Sequence, residues 1–103
     1  MSERFQIVEG GKSTESPEIL VLKSALAKIT NALEPYMKIV QNDYSAELYS
    51  EFLGQSVDEL AYNAELISRQ LEEAFRNKKS QEFVLRIEKA YAIRSVLLTK
   101  IPA

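Results

Sequence analysis

A chain of 103 residues with 46% hydrophobic and 27% charged content has the composition of one globular domain, large enough for a core and too apolar for global disorder. Its 13 basic and 15 acidic side chains give a formal charge of -2, so no bulk electrostatic pull toward nucleic acid or anionic membrane is expected. With neither cysteine nor histidine, disulfides and thiolate chemistry are excluded, and the commonest general base and metal ligand are missing together.

Residues 1–16 read as an extended or flexible leader, and residues 17–103 as the helical domain. Phe5 and Ile7 alternate with polar neighbours before Glu9-Gly10-Gly11-Lys12-Ser13-Thr14-Glu15 reads as a flexible linker. A short extended segment at residues 4–8 could dock on a groove or add to a sheet edge, which makes Phe5 and Ile7 candidate partner contacts. The N-terminus has no basic region followed by an apolar core, so no signal peptide is expected. No apolar run approaches the roughly 20 residues needed to span a bilayer, and a cytoplasmic location is the expectation.

The first helix has a clear start. Ser16 is placed to cap it, Pro17 sits where its missing N–H costs nothing, and Glu18 complements the helix dipole. Its apolar stripe is Ile19, Leu22, Leu26, Ile29, Leu33, Tyr36 and Val40. Pro35 falls inside that stripe, and because the register is kept across it, one kinked helix is predicted. Asn42 or Asp43 is the expected cap of a short helix over 44–53, with Tyr44, Leu48 and Phe52 on one face.

The strongest local signal follows. Gly54 can take the left-handed conformation that ends a helix, and Ser56-Val57-Asp58-Glu59 is a capping box. Val57, Leu60, Ala64, Ile67, Leu71 and Ala74 then recur at steps of three and four, which predicts a buried stripe. The basic run Arg76-Asn77-Lys78-Lys79 suits a helix C-terminus, and Ser80 is the expected cap of a last helix over 81–100. Three helices of roughly 20 residues, each about 30 Å long, joined by short loops, imply antiparallel packing.

Motifs that could carry chemistry are sparse. Gly10-Gly11-Lys12-Ser13 lacks the upstream glycine and the preceding strand of a phosphate-binding loop. Glu47/Glu51 and Glu72/Glu73 are the carboxylate pairs that could hold a magnesium ion, but Asp58, Glu65 and Glu72 follow the spacing of a solvated face. Helix, glycine turn and helix over 46–67 have the order of a helix-turn-helix. Yet Gln55 stands where an apolar residue plugs that turn, and Asp58, Glu59 and Glu65 would face phosphates with the wrong sign. Ser16-Pro17-Glu18-Ile19-Leu20 resembles the start of the first helix of flagellin secretion chaperones. Phe52-Leu53-Gly54 resembles the turn of small type VII secreted hairpin proteins. Ordinary capping and turn chemistry explains both stretches, and no function is taken from them.

Arg94 sits in the middle of a broad apolar face formed by Phe83, Val84, Ile87, Ala90, Tyr91, Leu97, Leu98 and Ile101. A guanidinium there needs a carboxylate, a route to solvent or an anionic ligand. An internal pair with Glu34, Glu47 or Glu51 is the expectation, with a partner contact as the alternative. Tyr62 and Leu66 lie off the main stripe of the third helix, and Leu85, Ala92 and Val96 form a second strip on the last. Both strips suggest self-association or a protein partner. The reading is therefore an all-α, antiparallel bundle of three long helices and one short one, with neither cofactor nor metal. Its expected role is a non-enzymatic interaction module: an accessory subunit or adaptor, in a homo-oligomeric version if the outer strips pair. The alternative is a nucleic-acid-associated factor using Arg69, Arg76, Lys78, Lys79 and Arg86.

Overall fold

The computed structural model describes residues 16–102; Phe5 and Ile7 lie outside them. The described chain is all-helical: α1 (Pro17–Leu33), a 3₁₀ turn (Glu34–Tyr36), α2 (Ala46–Leu53), α3 (Val57–Arg76) and α4 (Ser80–Lys100). Among the described residues no helix is long and apolar enough to cross a membrane.

α1 starts as its sequence dictates. The Ile19 N–H donates to the Ser16 hydroxyl at 3.2 Å, and Pro17 occupies the first turn. The helix does not continue through Pro35 as one kinked rod. It ends at Leu33, and the 3₁₀ turn takes over, because proline offers no N–H to the Asn31 carbonyl and its ring crowds the preceding turn. Bonds from Met37 to the Glu34 carbonyl, and from Ile39 and Val40 to that of Tyr36, close the end. The expected stripe survives in part: Leu22, Ile29, Leu33 and Tyr36 are buried, Ala25 joins them, and Ile19, Leu26 and Val40 pack on the core from its edge.

The cap of α2 is Ser45, not Asn42 or Asp43. Its hydroxyl accepts the Leu48 N–H at 3.1 Å, and the helix starts at Ala46. In a capping box the residue at Leu48 would return a carboxylate to the Ser45 N–H. Leucine cannot do so. Glu88 of α4 supplies that carboxylate instead, accepting the Ser45 N–H at 3.0 Å. The preceding loop is tied to the same helix by the Tyr91 hydroxyl, which donates to the Val40 carbonyl at 3.1 Å.

Gly54 closes α2 at φ -82 and ψ -2, not in the left-handed region. A Cβ there would meet nothing nearer than 3.7 Å, so the turn does not require glycine. The capping box of α3 forms in both directions: Ser56 N–H to Glu59 at 2.8 Å, and Glu59 N–H to the Ser56 hydroxyl at 3.2 Å. Leu60, Ala64, Ile67, Leu71 and Ala74 are all buried.

A Schellman turn joins α3 to α4. The Lys79 N–H reaches the Ala74 carbonyl at 2.9 Å and the Lys78 N–H that of Phe75 at 3.1 Å, with Lys78 left-handed at φ 58. This turn carries the chain straight into α4, so Ser80 is its first residue rather than its cap. Lys79 holds the cap position and makes no side-chain cap bond.

Side-chain pairs fix how the helices lie. Lys28 meets Glu65 at 3.9 Å, and the Tyr36 ring lies 5.1 Å from that of Phe75. Rising numbers on both elements mean that α1 and α3 point the same way, so not all three long helices are mutually antiparallel. α4 runs against both, since Tyr36 also meets Phe83 at 5.0 Å while Arg94 reaches back to Thr30. α1, α3 and α4 pack on one another, and α2 packs on α4. That fourth helix explains why α4 is buried on two sides: Ile87, Ala90, Tyr91, Ala92, Ile93, Val96 and Leu97 are all inside. The Ala92 and Val96 strip is therefore core, not an outward surface.

Candidate docking surface

The end of the bundle where α3 turns into α4 gathers three aromatic rings. Tyr36, Phe75 and Phe83 touch pairwise at centroid distances of 5.1, 5.0 and 5.6 Å, tilted or edge-on as ring quadrupoles prefer. Tyr36 is buried at the centre. Burial, and secondarily the negative charge of Glu72, raises its phenol above the ordinary tyrosine value, so the ring stays neutral. Phe75 is different: it uses one side against its neighbours and leaves 56% of its area in solvent. Val84, one residue beyond Phe83, is 63% exposed, and Ile39, in the loop that follows the 3₁₀ turn, is 75% exposed. Large apolar groups this exposed at one end of a small domain are an interaction signal when they are contiguous. Phe75, Phe83 and Val84 line one concavity together with Ala74. Val84 also borders the next groove, which reaches Ile39.

The rim of that concavity is basic. Arg76, Lys78 and Lys79 line it, with no carboxylate among its lining residues. Arg76 pairs with Glu72 one helical turn back at 3.8 Å, and both side chains are mostly in solvent, a geometry worth little and readily exchanged for another partner. α4 begins here without a side-chain cap, so the positive end of its dipole adds to the same potential.

The residues expected from sequence fall in several places. Tyr62 is 64% exposed on α3 and Leu66 is half-buried one turn on. Leu85 is exposed on α4, two residues past Phe83 and so close to the aromatic end. Counted from the Phe75–Phe83 pair, Tyr62 and Leu85 are roughly 16 Å apart along the bundle; they do not form one strip. Val96 is fully buried and cannot touch a partner. Arg94 is half-buried, and its Nε donates to the Thr30 hydroxyl at 3.3 Å. Among the described residues it has no carboxylate within salt-bridge range, so the expected pairs with Glu34, Glu47 or Glu51 do not form.

The five basic residues also separate. Arg76, Lys78 and Lys79 cluster at the turn. Arg69 lines the groove between α1 and α3 beside Glu65 and Glu72, and Arg86 is half-buried on α4. No grouping of acidic residues that could hold a metal ion occurs among the described residues.

Sequence reasoning passed over Phe75, Phe83, Val84 and Ile39 as a set. One signal was there. Ala74 is the last residue of the buried stripe, so Phe75 falls about 100° further round the helix, at the margin of that stripe. No family model, curated protein or solved structure matches the chain.

Proposed function

We propose that the protein is a non-enzymatic protein-interaction module, an adaptor or accessory subunit whose docking surface is the aromatic end at the α3–α4 turn. The observation that carries this reading is the exposure of Phe75 and Val84 on either side of the half-buried Phe83. Phenylalanine is among the aromatic residues enriched in interface cores, and Val84 extends the apolar area beside it. A nucleic-acid role draws less support, because Arg69 and Arg86 stand apart from the cluster at the turn and three cations make a small electrostatic footprint. Self-association loses its second strip, since Val96 lies in the core.

The test compares what co-purifies with the tagged native chain and with a Phe75→Ser, Val84→Ser double variant, after circular dichroism and a melting curve show that the variant is folded. Proteins that accompany the wild type should fall away in the variant. An unchanged protein profile, or enrichment of nucleic acid alone, contradicts the reading.

A further inference from the structure

We infer that this surface takes an acidic segment of a partner protein, one that lays a bulky apolar side chain on Phe75, Phe83 and Val84 and sets carboxylates against Arg76, Lys78 and Lys79. The inference rests on the docking role proposed above and names the chemistry of its partner.

Charge complementarity carries it. The chain as a whole is acidic, at -2, yet the residues lining this concavity hold three cations and no carboxylate. The concavity encloses about 550 Å³, space for an anchor side chain and its neighbours rather than for a folded domain. A peptide that places an apolar residue between acidic ones would fill the floor and neutralise the rim in one pose. A neutral peptide would leave the rim unpaired, and a basic one would meet repulsion.

The backbone points the same way. Lys78 holds the left-handed position of the turn at φ 58, where glycine has no steric penalty. Keeping a lysine there costs stability, and no hydrogen bond or ion pair to its side chain offsets that cost among the described residues. A cation needed at that point for binding accounts for it.

Nucleic acid and anionic membrane would meet the same cations, and a single-stranded base could stack on the exposed Phe75, so both stand as outcomes of the test. Backbone amide NMR of the full chain separates the three. The probe is a synthetic glutamate-rich peptide carrying a single phenylalanine. The controls are the same peptide with serine for phenylalanine, a lysine-rich counterpart, an oligothymidylate and phosphatidylserine vesicles. The probe should shift amides across 74–84, and the affinity should fall between about 0.1 and 1 M salt as screening shortens. It should also fall about fivefold to tenfold in a Lys78→Glu, Lys79→Glu variant. No shift at millimolar probe, an equal response to the serine or lysine peptide, or a stronger response to the oligonucleotide or vesicles overturns the inference. If the probe fails while the Phe75→Ser, Val84→Ser variant still loses its co-purifying proteins, the docking role stands and the acidic chemistry alone falls.

Discussion

Glu88→Ala tests whether a carboxylate from α4 caps α2. The substitution removes the group that accepts the Ser45 N–H at 3.0 Å and leaves the Ser45 hydroxyl cap in place. A bond to a charged acceptor contributes about 1.5–3 kcal/mol when dry. Both residues are only half-buried and water can replace the carboxylate, so the expected loss is about 1–1.5 kcal/mol. Native-state hydrogen exchange locates that loss. Because α2 packs on α4, it should open separately from the three-helix core, at a lower free energy. The bond is absent both with α2 open and in the unfolded chain, so Glu88→Ala should speed exchange of α2 amides and of core α3 amides by a similar factor, about tenfold. Ala64→Gly should behave differently. Ala64 is fully buried on α3, and losing its methyl and helix propensity costs about 1.5–2 kcal/mol. Exchange at Ile67 and Leu71 should accelerate while α2 amides stay at their wild-type rates. If the α2 amides also move with Ala64→Gly, α2 opens only when the whole domain does, and its description as a separately docked helix is wrong.

Four substitutions check other parts of the structure. Val96→Ala removes a fully buried side chain and should cost about 2–3 kcal/mol, a drop in melting temperature of roughly 10 °C or more, whereas Leu85→Ala, on the surface, should stay within about 0.5 kcal/mol; equal effects would mean that α2 does not cover Val96. Lys78→Gly relieves a left-handed residue costing about 1–2 kcal/mol against a loss of about 0.4–1 from the freer unfolded chain, so urea unfolding should show a net gain; a loss refutes the turn geometry. Arg94→Leu strands no carboxylate and gives up one long hydrogen bond to Thr30, so it should change stability by no more than about 1 kcal/mol; a cost of about 3–5 would reveal a buried ion pair after all.

Much of the fold was legible because its causes are local. Ser56 and Glu59 carry their own capping chemistry within four residues, and the α3 stripe from Leu60 to Ala74 is buried as its spacing requires. Ser45 was missed because the carboxylate that completes its cap lies forty-three residues away. Pro35 was recognised as a disruption, but whether a helix kinks or stops there depends on what the next turn meets. Here Tyr36 drops between Phe75 and Phe83, and the chain departs. Val96 and Ala92 read as an outer strip because α4 is apolar on more than one side, and only the position of α2 shows which side is wet. α2 also reverses the chain once more than a plain three-helix count allows, which is why α1 and α3 run in parallel. Of the candidate surface, the cations at residues 76–79 were visible as a run. The aromatic floor comes from two helices joined by a turn, and residue spacing within either one does not reveal it.

The docking claim is tested most directly by photo-cross-linking in cells. A photoreactive phenylalanine analogue is placed at Phe75 and, as a control, at the exposed Ser24 on α1, and the adducts are identified by mass spectrometry. A discrete protein adduct is expected from position 75, cross-linked through an acidic stretch of the partner and absent from position 24. Identical adducts from both positions, a nucleic-acid or lipid adduct, or none at position 75 would contradict it.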